Sequence, residues 1–486
     1  MVKVLIVSPF RKGKLIESVV SNIENYEVVN TAPLQLCTLL KSQGYEVAYL
    51  SLQNVFRTFE KKDIDRLEEI LGKYLCEVLI VHTDYYMNNA NVACLYSINL
   101  IIDIVKKNRP NSKVIYCGKL TEMLGVDLLE EHLPKVDVAI RGEAEPVIKT
   151  VLEFNYERYK NECVGCLYRK GSDIYSISGT NIIEDYNKLP PIEFDFLNET
   201  ILELEKIGKD IKALPISIRT SYGCPYSCRF CENTEDWHKY RKKDKRILLS
   251  EIRNLKEACN NRLQLVFISD ELFTLDIEHI KEVKSVFEDN NIIVNGLFSH
   301  VSDITKEKVE LLRNITKSII FGGESSLDSV LNISNKNSSY EKIVESAKLV
   351  KSSNIAVGFE WIVGLPNMRV EDYLLDLNNI YKLIACEIVD FIEPYVFVPH
   401  PNTYFYNNCR NIGMTICGKN EDMLEEGGFS TVSYKDGLSN KQITVMYLIY
   451  RYVIEEAEKA KGHISKNMKA GCVNIEDFKD YIGEFL

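Results

Sequence analysis

The apolar residues of the first 150 positions fall in short continuous runs, separated by segments with helical spacing. KVLIVSPF (3–10), YEVAYLSL (45–52), EVLIVHT (77–83), KVIYCG (113–118) and VDVAIRG (136–142) are rich in Val and Ile. Runs of this kind read as parallel strands covered on both faces. Amphipathic spacing predicts helices around 33–43, 62–75, 89–107 and 122–131. Strand–helix alternation of this sort predicts a doubly wound parallel sheet. Such sheets bind ligands beyond their C-terminal strand ends, so the loops Ser8–Phe10, Thr83–Tyr86 and Cys117–Leu120 face any site.

The pattern changes after 154. CVGCLYRKGSDIYSISG (163–179) reads as a hairpin with Lys-Gly at its turn, and KLPPIEFDF (188–196) is extended by its prolines. From 214 the alternation resumes in PISIRTSYG, QLVFIS, VNGLFSH, SIIFGG, AVGFEWIVG and VDFIEPYVFV, with helical segments near 247–260, 276–288, 304–313, 340–352 and 371–385. Six β/α units in a row predict a partial (β/α)6 barrel with its chemistry at the C-terminal strand ends. The amphipathic stretch 439–460 predicts a helix packed on that barrel. The expected fold class is α/β. It comprises a doubly wound, Rossmann-like domain at 1–154, a linker with a hairpin at 155–213, a barrel at 214–404 and a mainly helical region at 405–486.

Composition narrows the function classes. The net charge of −11 argues against a nucleic-acid or anionic-membrane partner, and no apolar run is long enough to span a bilayer. The N-terminal run reads as a buried first strand rather than a signal peptide, which implies a cytoplasmic protein. The basic run KYRKKDKR (239–246) reads as a solvated loop and helix start. Most of the 14 cysteines are scattered singly through apolar segments, where a thiol is a small buried hydrophobe. Cys163 and Cys166 form a C-x-x-C without a second pair at zinc spacing, so they too read as buried packing.

One cluster stands apart. SYGCPYSCRFCEN (221–233) places Cys224, Cys228 and Cys231 directly after the first barrel strand. Three thiolates can hold three corners of a [4Fe–4S] cube and leave the fourth iron open. A four-cysteine site would need another nearby thiol, and Cys259, the nearest, lies a predicted helix away. The C-x3-C-x2-C spacing with Phe230 before the third cysteine resembles the radical SAM superfamily.

The resemblance implies further roles. SDE (Ser269, Asp270, Glu271) falls where the family binds the methionyl amine of S-adenosylmethionine. In FGGESS, Glu324 and Ser325 match residues that contact the ribose and carboxylate. In WIVGLP, Ile362 and Gly364 match the segment beneath the adenine. PHPNT (399–403) resembles P-x-P-G-T, with Asn402 replacing Gly. Implied with these are reductive cleavage to a 5′-deoxyadenosyl radical and a flavodoxin or ferredoxin-type electron donor. His400, at a predicted strand end, is the acid/base candidate.

The domain order resembles the cobalamin-binding-domain radical SAM enzymes. APLQLCTLLKSQGYEV (32–47) and RGEAE (141–145) carry that resemblance. It implies cobalamin as a third cofactor, its tail near Thr83 and Gly118, and methyl transfer to an unactivated carbon of a small-molecule or natural-product substrate. The chain departs from the pattern in three ways. It has no D-x-H-x-x-G, Cys117–Gly118–Lys119 stands where Gly-Gly is usual, and Tyr85 and Tyr86 are bulky. The alternative is a corrinoid-free dehydratase, mutase or cyclase whose N-terminal domain binds nothing. Methylthiolation of tRNA would call for a second cysteine trio and a basic tail. A non-enzymatic sensor would leave the S-adenosylmethionine motifs unexplained. The Tyr-rich segment 395–408 suits either core packing or stacking on an aromatic substrate.

Overall fold

The computed structural model describes residues 3–10, 31–53, 55–56, 61–83, 94–153, 163–208, 216–233, 235–260, 265–417 and 430–461. The apolar runs become strands: β1 (Lys3–Ser8), β2 (Glu46–Ser51), β3 (Val78–His82), β4 (Lys113–Cys117) and β5 (Val138–Ile140). β1 pairs in parallel with both β2 and β3, which puts the reversal of strand order between β1 and β3. A doubly wound sheet opens its crevice at such a point. The strands are buried throughout their C-terminal halves, as a sheet covered on both faces requires.

The helix Ala32–Ser42 opens with Pro33, whose fixed φ suits a first turn, and buries Leu34, Leu36, Cys37 and Leu40. The helix expected at 122–131 is interrupted. Leu120–Leu124 ends at Gly125, whose φ of +56° leaves the helical region, and a π turn, Leu128–His132, follows. The helix expected from 89 is Leu95–Asn108; residues 84–93, with Tyr85 and Tyr86, lie outside the described residues.

The expected hairpin forms, as β6 (Cys166–Lys170) and β7 (Asp173–Ser176), and turns at Gly171 with φ +63°. It is not a free connector. β6 pairs antiparallel with β5, giving a seven-stranded sheet of order β2-β1-β3-β4-β5-β6-β7.

The barrel strands are β8 (Ile216–Ile218), β11 (Leu265–Ile268), β12 (Ile293–Ser299), β13 (Ser318–Glu324), β14 (Ala356–Val363) and β15 (Phe391–Val396), after the short β9 (Ser221–Tyr222) and β10 (Arg241–Lys242). Their order, β15-β14-β13-β12-β11-β8, follows the chain, as successive β/α units demand. The tail helix runs Asn440–Ala460 behind a Ser439/Gln442 capping box.

The compact units cut the chain elsewhere than at 154 and 214. One is Met1–Ser221, Arg241–Phe267 and Ser285–Ile292; the other is Tyr222–Tyr240, Ile268–Lys284 and Ile293–Leu486. Buried polar bonds explain why the first unit keeps the start of the barrel. Arg241 Nη1 lies 2.9 Å from Glu143 Oε2 of the RGEAE segment, and Glu143 also accepts from Ile183 N–H and the Tyr186 hydroxyl. Lys243 Nζ binds both Glu251 oxygens at 2.8 Å, and Thr31 Oγ1 donates to Ser217 O at 2.7 Å.

Candidate active site

The cysteine segment begins with Gly223, whose φ is +89°. A Cβ there would sit 2.2 Å from Lys239 O, so only glycine admits this turn. Glu271 Oε2 accepts the Gly223 N–H at 3.1 Å, and Trp237 O accepts that of Cys224 at 3.3 Å. Cys231 N–H donates to Cys228 O at 3.0 Å, closing the second half of the loop. The loop is further pinned by the turn after the helix Asp328–Ile333. Arg229 N–H donates to Ser334 O at 2.9 Å, Arg229 Nη1 to Ile333 O at 3.0 Å, and Asn335 Nδ2 to Ser227 O at 2.9 Å.

The end of β12 adds a clamp. Tyr226, between the first two cysteines, stacks on His300 with ring centroids 4.1 Å apart, and its hydroxyl donates to Asp303 Oδ2 at 3.0 Å. His300 Nδ1 accepts the Ser302 N–H at 3.1 Å, which leaves Nε2 as the protonated nitrogen of the neutral ring. Burial, then the charge of Lys336, depresses the imidazole to about 3.

The three thiols are partly exposed and feel one another's charge. Burial, chiefly, raises Cys224 to about 11 and Cys231 to about 12, and raises Cys228, while Lys336 works in the opposite direction at Cys224 and Cys228. Thiols with this balance are protonated until a metal replaces the proton. Among the described residues, no three His, Cys, Asp or Glu side chains gather for a single metal ion. A cube asks for less, since each thiolate meets a different iron. Three free, partly exposed thiols on one loop are the donor set that a [4Fe–4S] group with one open iron takes. Phe230, beside Cys231, faces Lys336, whose Nζ is 6.0 Å from the ring centroid.

Glu324 ends β13 in the left-handed region, φ +65°, at a register shift against Trp361 of β14. Its Oε1 lies 2.8 Å from Lys336 Nζ, and both residues are buried. Burial disfavours the Lys336 ammonium, but Glu324 and the thiols of Cys228 and Cys224 more than offset this and raise its pKa. The two glycines before Glu324 make the arrangement possible. A Cβ on Gly322 would fall 2.3 Å from Glu324 Oε1 and 2.6 Å from Lys336 Nζ; one on Gly323 would strike Phe359 and Trp361 at 2.7 Å.

The remaining expected residues divide. Ser269 and Asp270 are buried directly after β11, while Glu271 serves the cysteine loop as described. Ser325 does not present a spare hydroxyl: it donates to Asp376 Oδ1 at 3.2 Å and accepts from Leu327 N–H at 3.2 Å. Asp376 also accepts from Ser326 N and Oγ at 2.6 Å, and from Trp361 Nε1 and the Tyr450 hydroxyl at 2.7 Å.

Ile362 is half-buried in register with Tyr395. Gly364, φ +98°, accepts the Tyr434 hydroxyl at 2.7 Å, and a Cβ on it would meet Ile443 at 2.7 Å. His400 follows β15 in a tight turn, and burial lowers its pKa to about 4, which makes it a weak base at neutral pH.

In the first unit, Thr83 and Gly118 do meet. A Cβ on Gly118 would lie 1.9 Å from Thr83 Oγ1 and 2.6 Å from the Tyr116 hydroxyl, and those two oxygens are 2.7 Å apart. Lys119 is buried against Glu122, with Nζ and Oε2 2.5 Å apart. Three residues escaped the sequence reading: Lys336, His300 and Asp376. A strand-end position could have flagged His300; Lys336 and Asp376 lie at no recognisable spacing.

Residues 218–377 match the Radical SAM superfamily. The anaerobic magnesium-protoporphyrin IX monomethyl ester cyclase of Cereibacter sphaeroides is 23% identical over 389 residues, covering 77% of this chain; the chain spans only 59% of that relative's length. TsrM from Kitasatospora setae, a radical S-adenosylmethionine methyltransferase solved with cobalamin and a [4Fe–4S] cluster bound, superposes with a TM-score of 0.66 at 14% identity, covering 98% of this chain and 93% of TsrM. OxsB, a cobalamin-dependent S-adenosylmethionine radical enzyme solved with aqua-cobalamin, gives 0.61 at 15% identity, covering 95% of this chain and 62% of OxsB. At these identities the likeness is one of fold, and it extends through both sheets. Residues 218–377 thus carry a radical SAM domain, a type of domain that implies a [4Fe–4S] cluster and S-adenosylmethionine.

Proposed function

We propose that this chain is a cytoplasmic, cobalamin-dependent radical SAM methyltransferase acting on an unactivated carbon of a small-molecule substrate. Its electrons would come from a flavodoxin or ferredoxin-type donor. The observation that carries the reading is the likeness to TsrM over 98% of the chain, seven-stranded sheet included. In this reading 1–154 is the corrinoid-binding type of domain and 214–404 the barrel.

Cys224, Cys228 and Cys231 would hold the cluster. When bound and reduced, it supplies the electron that cleaves S-adenosylmethionine to a 5′-deoxyadenosyl radical. Glu324 would accept hydrogen bonds from the ribose hydroxyls, with Lys336 fixing its carboxylate. Ser269, Asp270, Ile362 and Gly364 would line the same cofactor. Ser325 would act through Asp376 and not by touching the carboxylate, because its hydroxyl is already engaged.

A second reading rests on one observation. Thr83 and Tyr116 spend their hydroxyls on each other beside Gly118, and Lys119 is buried there. As they stand, Thr83 and Tyr116 are bonded to each other and packed against Gly118, so the strand ends are crowded where a corrinoid tail would enter. This favours a corrinoid-free dehydratase, mutase or cyclase. Anaerobic reconstitution with hydroxocobalamin separates the two. About one corrinoid per chain supports the methyltransferase. No uptake, with an intact cluster and 5′-deoxyadenosine still formed, excludes it.

A further inference from the structure

Cys163 and Cys166 take no part in the site described above. They occupy the first and fourth positions of a β-turn: Cys166 N–H donates to Cys163 O at 3.3 Å, and Gly165, in third place, has φ +70°. Those are the features of a type II turn, whose first and fourth Cα atoms lie within ~7 Å, and a disulfide spans Cα atoms ~4.4–6.8 Å apart. The Cys166 thiol donates to Val164 O at 3.7 Å, across the same turn. Both are fully buried, yet Val164 at the tip between them is 48% exposed, so the pair lies just beneath the surface.

The turn is docked on a defined neighbour. Arg141 N–H donates to Gly165 O at 2.8 Å, and the Asn181 side-chain amide donates to Val164 O at 2.8 Å and to Arg141 O at 3.1 Å. A Cβ on Gly165 would meet Asn181 Nδ2 at 2.7 Å, which holds this turn to glycine. The charges of Lys113 and Arg141 are felt at the pair. The neighbouring Cys163 thiol and then burial hold the Cys166 thiol well above the ordinary range, while Arg141 works in the opposite direction, toward the thiolate that disulfide exchange requires.

We propose that Cys163 and Cys166 are a redox-active dithiol that closes to a disulfide and locks this turn onto the Arg141–Glu143 segment. The oxidant is a low-molecular-weight disulfide. One cysteine thiolate attacks a sulfur of the oxidant and expels a thiolate. The second cysteine, losing its proton, attacks the resulting mixed disulfide and expels the other half. One S–S bond forms and one breaks. Two electrons and two protons pass from the pair to the two thiols of the reduced oxidant. Burial makes the reaction slow until the exposed tip opens. The inference is independent of the proposed methyl transfer.

The sequence allows a direct test. Trypsin cuts after Lys160 and Arg169, so both cysteines fall in one peptide, 161–169, while Cys117 falls in 114–119. Full-length protein with its cluster loaded is equilibrated anaerobically across ratios of reduced to oxidised dithiothreitol, acid-quenched, alkylated with iodoacetamide and digested. Peptide 161–169 should pass from doubly alkylated to unalkylated and two hydrogens lighter, while 114–119 stays alkylated. In Cys166→Ser the peptide should never lose two hydrogens. Amide exchange over 141–143 should slow on oxidation of the wild type and stay unchanged in Cys166→Ser. The proposal is overturned if 161–169 stays doubly alkylated at every ratio, oxidises only after unfolding, or is found linked to 114–119. Closure of the disulfide without slower exchange overturns the lock.

Discussion

Lys336 Nζ stands 2.8 Å from Glu324 Oε1 with both side chains buried, and the thiols of Cys228 and Cys224 lie within its field. Glu324 is thus part of the fold as well as of the proposed cofactor site. Glu324→Gln should weaken S-adenosylmethionine binding by about 1–3 kcal/mol, as for a lost charged hydrogen bond. Lys336→Met leaves a buried carboxylate alone and should cost about 3–5 kcal/mol of stability. The Glu324→Gln/Lys336→Met double variant should regain most of that stability without regaining binding. Denaturant melts and calorimetric titration on the same samples check this; a double variant that binds normally would remove Glu324 from the site.

Replacing Cys224, Cys228 and Cys231 together with Ala should abolish iron binding and 5′-deoxyadenosine formation, yet leave the far-ultraviolet circular dichroism unchanged. The loop is held by its own backbone bonds and by Tyr226 on His300, so it does not need the thiols to fold. Iron analysis decides the matter; a triple variant that kept about four irons would move the cluster elsewhere.

Asp376 collects hydrogen bonds from Ser325, Ser326, Trp361 and Tyr450. Asp376→Ala orphans several buried donors at about 1–3 kcal/mol each and should prevent stable folding. Ser325→Ala, which loses one bond, should cost about 0.5–1.5 kcal/mol of stability and leave S-adenosylmethionine affinity within about threefold. A large loss of affinity with normal stability would mean that Ser325 does touch the cofactor.

Glu145 gives a pH signature. Burial, then the charge of Glu143, pushes its carboxyl up to about 8. The folded chain then keeps a proton that the unfolded chain has lost. Stability on this account is fully present below the ordinary carboxylate range and falls as pH rises toward about 8. Glu145→Gln should flatten that slope and raise stability at about pH 8.5, with little change at about pH 4. Thermal melts across this range provide the measurement, and an unchanged slope would assign the decline to other groups.

The strands were legible because each is a short Val/Ile-rich run whose burial needs no partner to be known in advance. All five N-terminal and six barrel strands fall where those runs predict. The cysteine loop was legible because its chemistry lies within eight residues. What escaped was long-range. Lys336 meets Glu324 only because the turn after Asp328–Ile333 folds back on the cysteine loop, and Asp376 meets Tyr450 across 74 positions. Glycine offers the one bridge between these scales. Gly322 and Gly118 each mark a place where side chains from elsewhere come too close for a Cβ, and a sequence records that a gap exists without saying what fills it.

The hairpin that closes the first sheet has a consequence for how copies of this chain meet. Without it, β5 would offer a bare parallel edge of unpaired N–H and C=O groups, a template for another molecule's strand. β6 covers that edge, and the new edge is β7, four residues long, mostly exposed, opening with Asp173 and backed by the Tyr168–Tyr175 stack at 5.1 Å. A short polar ribbon is a poor template. Deleting 171–176 would therefore bare the edge of β6, and that variant should self-associate more than the intact chain at equal concentration, as light scattering would read.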